Sequence, residues 1–111
     1  MNPDAAKLSE LRKHWPDIEV VSADGRFYLH LPSLKVATLS GAKVISALLR
    51  PWANGDGYPT RLFFSEKFTD YGNNWNIFSI AGRSWHACSW SGVSEDLPYL
   101  EIIASHLRPL Q

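Results

Sequence analysis

The sequence holds one strong nucleophile, Cys88. It lies in Trp85-His86-Ala87-Cys88-Ser89-Trp90, a run that reads as a strand. Side chains at i and i+2 of a strand share a face, so His86, Cys88 and Trp90 are expected to point the same way. A neighbouring imidazole lowers a thiol pKa or takes its proton, which is what a thiol nucleophile needs. Free cysteine is also among the most buried residue types, and on pattern alone a packing role ranks ahead of a reactive one.

The other groups with chemical potential point to ordinary structural work. His14, His30, His86 and His106 are scattered, and one cysteine completes no zinc spacing, so no metal site is expected. Asn54-Gly55-Asp56-Gly57 has the composition of a calcium loop but lacks its further carboxylates, and reads as a solvated turn. Glu95 and Asp96 stand where carboxylates cap a helix. No glycine-rich phosphate loop follows a strand, and no cofactor is implied. Trp52, Tyr58, Trp75, Trp85 and Trp90 offer an aromatic platform, though core and loop anchoring is the expected use of most of them.

These residues need elements to position them. Asp4 is placed to cap a helix running to about Trp15, with Leu8, Leu11 and Trp15 on one stripe and Pro16 ending it. Ile18–Val21 and Phe27–Leu31 flank an Asp24-Gly25 turn, a strong hairpin signal. Leu34–Leu39 and Lys43–Leu49, separated by Ser40-Gly41, supply a third and a fourth strand. Close spacing makes an antiparallel meander the economical topology. Arg61–Phe64 reads as a short buried strand, and Asn76–Ile80 with Trp85–Trp90 as a second hairpin. A last helix is expected from an Asp96 cap, with Leu97, Leu100, Ile103, Ala104 and Leu107 facing the core.

The chain has 111 residues, 45% of them hydrophobic, which suits one domain with one core and no staples. Lys+Arg and Asp+Glu both number 11, so no long-range field draws in a polyanion and no nucleic-acid partner is expected. No apolar run approaches the roughly 20 residues that cross a bilayer, so no membrane partner is expected. Met1-Asn2-Pro3-Asp4 begins no signal peptide, and a single cysteine excludes a disulfide scaffold; both point to the cytoplasm. Four of the five tryptophans lie beyond Pro51, which places the large rigid side chains in that part of the chain.

The order of elements, read with Gly57-Tyr58-Pro59-Thr60-Arg61-Leu62-Phe63-Phe64, resembles the ubiquitin-conjugating family, and most closely its divergent bacterial members. Tyr58-Pro59 is similar to the family's Tyr-Pro motif, which leads into its last meander strand. The resemblance covers most of the chain and implies a single ubiquitin-conjugating-like domain over residues 1–111. It implies an α+β fold with an N-terminal helix, a four-stranded antiparallel meander, a cysteine-bearing segment and a C-terminal helix. It further implies that Cys88 carries a ubiquitin-like modifier as a thioester received from an activating enzyme. His86 would then assist the thiolate, and Asn74 or Asn76 would supply the amide donor for the oxyanion. The chain departs from the family in two ways. The His-Pro-Asn triplet has no counterpart before Cys88, and aligning Trp90 on the family's Trp-Ser-Pro puts Gly82 at the nucleophile's position. The alternative is a catalytically inactive member that binds proteins.

Overall fold

A computed structural model describes residues 2–38, 41–68 and 74–110. It has six strands and two α-helices: α1 (Ala5–Arg12), β1 (Glu19–Ala23), β2 (Arg26–Thr38), β3 (Gly41–Arg50), β4 (Arg61–Phe64), β5 (Trp75–Ile80), β6 (Arg83–Cys88) and α2 (Tyr99–Leu107), closed by a 3₁₀ turn at Arg108–Leu110. The strands form one antiparallel sheet in the order β1-β2-β3-β4-β6-β5. This overturns the expected architecture of a helix, a four-stranded meander, a separate cysteine-bearing segment and a helix. The molecule is mostly sheet, and the cysteine-bearing segment is itself a strand, β6, hydrogen-bonded inside that sheet.

The two added strands are the β5–β6 hairpin, joined through β4, while one expected boundary, at Pro32, is absent. Proline has no N–H for a ladder, so a proline between two apolar runs reads as a break. The chain instead passes through it as a β-bulge. Leu31 faces Ala47 and Leu34 faces Ile45, so Pro32 and Ser33 together stand opposite Ser46. A bulge adds one residue to one strand, and one residue of slip flips every later side chain. Phe27, Leu29 and Leu31 point inward before it, and Leu34 and Val36 point inward after it. The extra residue thus keeps one apolar face along a 13-residue strand. Two expected strands become β2. The expected Ser40-Gly41 turn reaches Ser40 and Leu39, which lie outside the described residues.

Both helices pack on one face of the sheet. Leu8 and Leu11 of α1 and Tyr99, Ile102 and Ile103 of α2 meet Leu29, Leu31, Leu49, Leu62 and Phe64 in the main core. Asp4 caps α1 by accepting from the Lys7 N–H at 2.9 Å. The Asp4 N–H donates to the Tyr99 hydroxyl at 3.0 Å, which ties the helices together. Asp96 does not cap α2: Pro98 is the N-cap, and the Asp96 carbonyl accepts from Lys7 Nζ. The buried stripe of α2 is Tyr99, Ile102, Ile103 and His106, and Leu100, expected inside, is 36% exposed. The expected stripe is rotated because Tyr99 and His106 carry polar atoms, yet both turn inward, where the Tyr99 hydroxyl accepts from the Asp4 N–H and His106 meets the Thr60 hydroxyl.

The opposite face carries a second, smaller cluster of Leu48, Phe63, Trp85 and Ala87, flanked by Val21, Tyr28, Phe78 and Ile80. The hairpins at both ends of the sheet turn on two residues with positive φ: Asp24 and Gly25, then Ala81 and Gly82. Asp-Gly suits such a turn, whereas Ala81 at φ +51° pays for its Cβ.

Two stability outcomes follow for urea denaturation. Ile103→Ala is expected to lower stability by about 2–5 kcal/mol, and Leu100→Ala by roughly 0.5 kcal/mol or less, since only the first empties a filled core site. Ala81→Gly is expected to raise the midpoint by relieving the turn.

Candidate functional site

β6 places the residues singled out in the sequence. His86 stands opposite Phe64 and Ile77, and Cys88 opposite Trp75, so both face the helix-covered side. Cys88 is only 7% exposed. Burial pushes its thiol pKa up, an effect that the nearby Arg61 charge only partly offsets. Asn76 faces Ala87, whose side chain belongs to the smaller cluster, so Asn76 points away from Cys88. Asn74 is exposed just before β5 and contributes its backbone carbonyl, which accepts from the Ser89 N–H at 2.9 Å. The structure therefore puts His86 and Cys88 on one face and leaves out Asn76. Asn73, considered with them, lies outside the described residues.

The arrangement that sequence reasoning missed spans three strands on the other face. Glu19 of β1 is the direct cross-strand neighbour of His30 of β2, and its Oε2 lies 3.8 Å from His30 Nδ1. His30 Nε2 lies 2.6 Å from Ser46 Oγ of β3. Ser46 is the residue that faces the Pro32–Ser33 bulge. The Trp85 ring meets the imidazole edge to face at 6.0 Å. Beside His30 opens a cavity of about 180 Å³, lined otherwise by Val21, Leu48, Ile80, Ala81, Arg83 and Trp85. Arg83 lies over the Trp85 ring at 4.5 Å. Nothing in the local sequence around any one of these residues signals the set, because pairing across strands brings them together.

Two buried arginines sit farther along this face. Arg50 is held by Asp56 through Nη1–Oδ2 at 2.8 Å and Nη2–Oδ1 at 3.2 Å, and by the carbonyls of Trp52 and Tyr58. That pairing lowers the Asp56 pKa and makes the 54–57 turn an arginine clamp, with Asp56 as its anchor. Arg61 is stacked between Tyr58 at 4.1 Å and Phe78 at 4.7 Å, and it donates to the Cys88 carbonyl at 3.4 Å. Of the expected aromatic platform, Trp52 and Trp85 are buried, Trp75 and Tyr58 are half-buried, and Trp90 is 36% exposed. Among the described residues no group of three His, Cys, Asp or Glu side chains is placed to hold a metal, and no helix is long and apolar enough to cross a membrane.

Behind β4, Thr60 donates its hydroxyl to the Val93 carbonyl at 2.9 Å and stands 2.8 Å from His106 Nε2. With its one proton committed, the Thr60 oxygen accepts from Nε2–H, which fixes the neutral imidazole tautomer. Burial, aided by the charges of Arg61 and Arg50, lowers the His106 pKa from 6.5 to about 4.

Comparison with known proteins finds no matching family model, no matching curated protein and no matching solved structure.

The His106 shift fixes a pH dependence. The folded-state pKa is depressed, so between pH 6.5 and about 4 the unfolded chain binds a proton that the folded chain refuses. Stability is then full above that window and falls as pH drops through it, by about 3 kcal/mol in all. Denaturation midpoints measured across the window check this, and His106→Gln is expected to flatten the profile.

Proposed function

We propose that this domain is a cytoplasmic protein-binding module for ubiquitin-like proteins, with β5 as its docking strand and Cys88 as a packing residue. The likeness to the ubiquitin-conjugating family rests on the Tyr58-Pro59 motif. The observation that carries the binding reading is the edge of the sheet. β5 is the outermost strand on its side, and Trp-Asn-Ile-Phe-Ser-Ile contains no charge and no proline. Ile77 on it is 70% exposed. Edge strands are ordinarily blunted by lysine, proline or a cover, because their free backbone groups recruit another strand. An unblunted edge with an apolar side chain suits strand addition, where main-chain hydrogen bonds give affinity and alternate side chains give specificity.

The carrier reading asks for something else of Cys88. Thioester exchange needs an accessible thiolate and a donor for the oxyanion. Cys88 is buried with a raised pKa, and Asn76 is on the opposite face. Both observations favour the inactive, binding alternative.

Titrating the isotope-labelled domain with ubiquitin, as a representative of the modifier class, checks the docking strand. Amide shifts are expected along Trp75–Ile80, and Ile77→Lys should abolish them while Cys88→Ala leaves them intact. Shifts confined to other strands, or none, would count against the reading. A chromogenic disulfide reagent is expected to label Cys88 only after unfolding. Fast labelling of the folded protein, followed by a thiol-sensitive adduct with an activating enzyme, ATP and modifier, would restore the carrier.

A further inference from the structure

We infer that Ser46, His30 and Glu19 form a nucleophilic site for acyl transfer, with the adjoining cavity holding the apolar part of the acyl donor. The inference stands apart from the binding role given to β5. A serine hydroxyl is a weak nucleophile until a base within hydrogen-bond reach takes its proton, and the base works when a third group orients it. Here the base is within hydrogen-bond reach of the hydroxyl, and a carboxylate stands beside its other nitrogen at charge-interaction distance. Ser46 Oγ is 2.6 Å from His30 Nε2, and Glu19 Oε2 is 3.8 Å from Nδ1 of the same ring. The Trp85 ring fixes the imidazole from a further side.

The backbone around the set is unusual in the way that sites are. Bulges gather next to active sites, where they re-aim a side chain. Here the bulge at Pro32–Ser33 stands directly opposite Ser46. Backbone strain gathers at such places too. Ala81 keeps φ +51° at the wall of the cavity, where its methyl adds to an apolar lining. His30 joins the two parts: one nitrogen meets Ser46, and the residue also lines the cavity.

The cavity selects the substrate class. About 180 Å³ of mainly apolar space admits a group near the size of benzene or a short branched chain. Arg83 is the cationic residue in its lining. The class is therefore an ester of a small apolar acid. Ser46 Oγ attacks the ester carbonyl as its proton passes to His30 Nε2, giving a tetrahedral oxyanion. The tetrahedral intermediate then expels the alcohol, which takes that proton from His30, and leaves an acyl-Ser46. Water, deprotonated by His30, attacks this ester, releasing the acid and restoring the serine. Glu19 stabilises the imidazolium in both halves.

Two probes test this on the intact protein: an alkyl fluorophosphonate, read as a mass adduct, and p-nitrophenyl butyrate, read as released nitrophenol. One adduct per chain is expected, on Ser46, together with nitrophenol release. Ser46→Ala should abolish both signals. His30→Gln should slow labelling by roughly 100-fold or more. Ile80→Trp, which fills the cavity, should raise KM for the butyrate more than for p-nitrophenyl acetate. Circular dichroism and the urea midpoint of each variant separate loss of chemistry from loss of fold. No adduct on the folded native protein, an adduct that persists in Ser46→Ala, or folded His30→Gln labelling at the native rate would overturn the proposal.

Discussion

Within the sheet, the β5–β6 hairpin is attached to the first three strands through β4. That strand has four residues, and all four side chains are buried. It pairs with β3 along its whole length, from Arg50 opposite Arg61 to Ala47 opposite Phe64. On its other side it registers Phe64 against His86 of β6. Phe64 is 1% exposed and meets the rings of Phe68 and Trp75 at 5.3 and 6.1 Å, so packing reinforces the seam on the helix side. Phe63 does the same on the other face, with Phe78 at 5.2 Å. A strand buried on both faces reads as an unbroken apolar run rather than an alternating one, and its two arms then decide where every later group sits.

Much of this was legible in the sequence, because the signals were local. Asp24-Gly25 gives the first hairpin, Asp4 the first cap, and Leu-Phe-Phe the buried strand. The rest was hidden where the signal is non-local. Pro32 reads as a break and is a bulge, so two expected strands are one. The buried stripe of α2 includes His106, whose place inside depends on a hydroxyl 46 residues away. The pairing of β4 with β6, which merged two expected units into one sheet, leaves no trace in either strand alone.

The same contrast separates the two histidine pairs. His86 and Cys88 are neighbours in sequence and share a strand face, and this made them conspicuous. That face is the one the helices cover, so proximity to the core raises the thiol pKa rather than exposing the sulfur. His30 and Ser46 are 16 residues apart and inconspicuous, yet strand pairing sets them in contact on the face without helices. Spacing along a strand reports which side chains share a face, and the packing of the other elements decides which face meets solvent.

The seam at β4 also makes the β5–β6 hairpin a separable unit. Its internal ladder is long, from Trp75 opposite Cys88 to Ile80 opposite Arg83, while its tie to the body runs through the Phe64–His86 register and the aromatic contacts beside it. A segment that is internally complete and externally lightly tied can leave one molecule and complete another. At high concentration, two chains that exchange this hairpin would each regain the same β4–β6 pairing from the other copy. The feature that lets one short strand organise the sheet therefore also makes reciprocal exchange cheap.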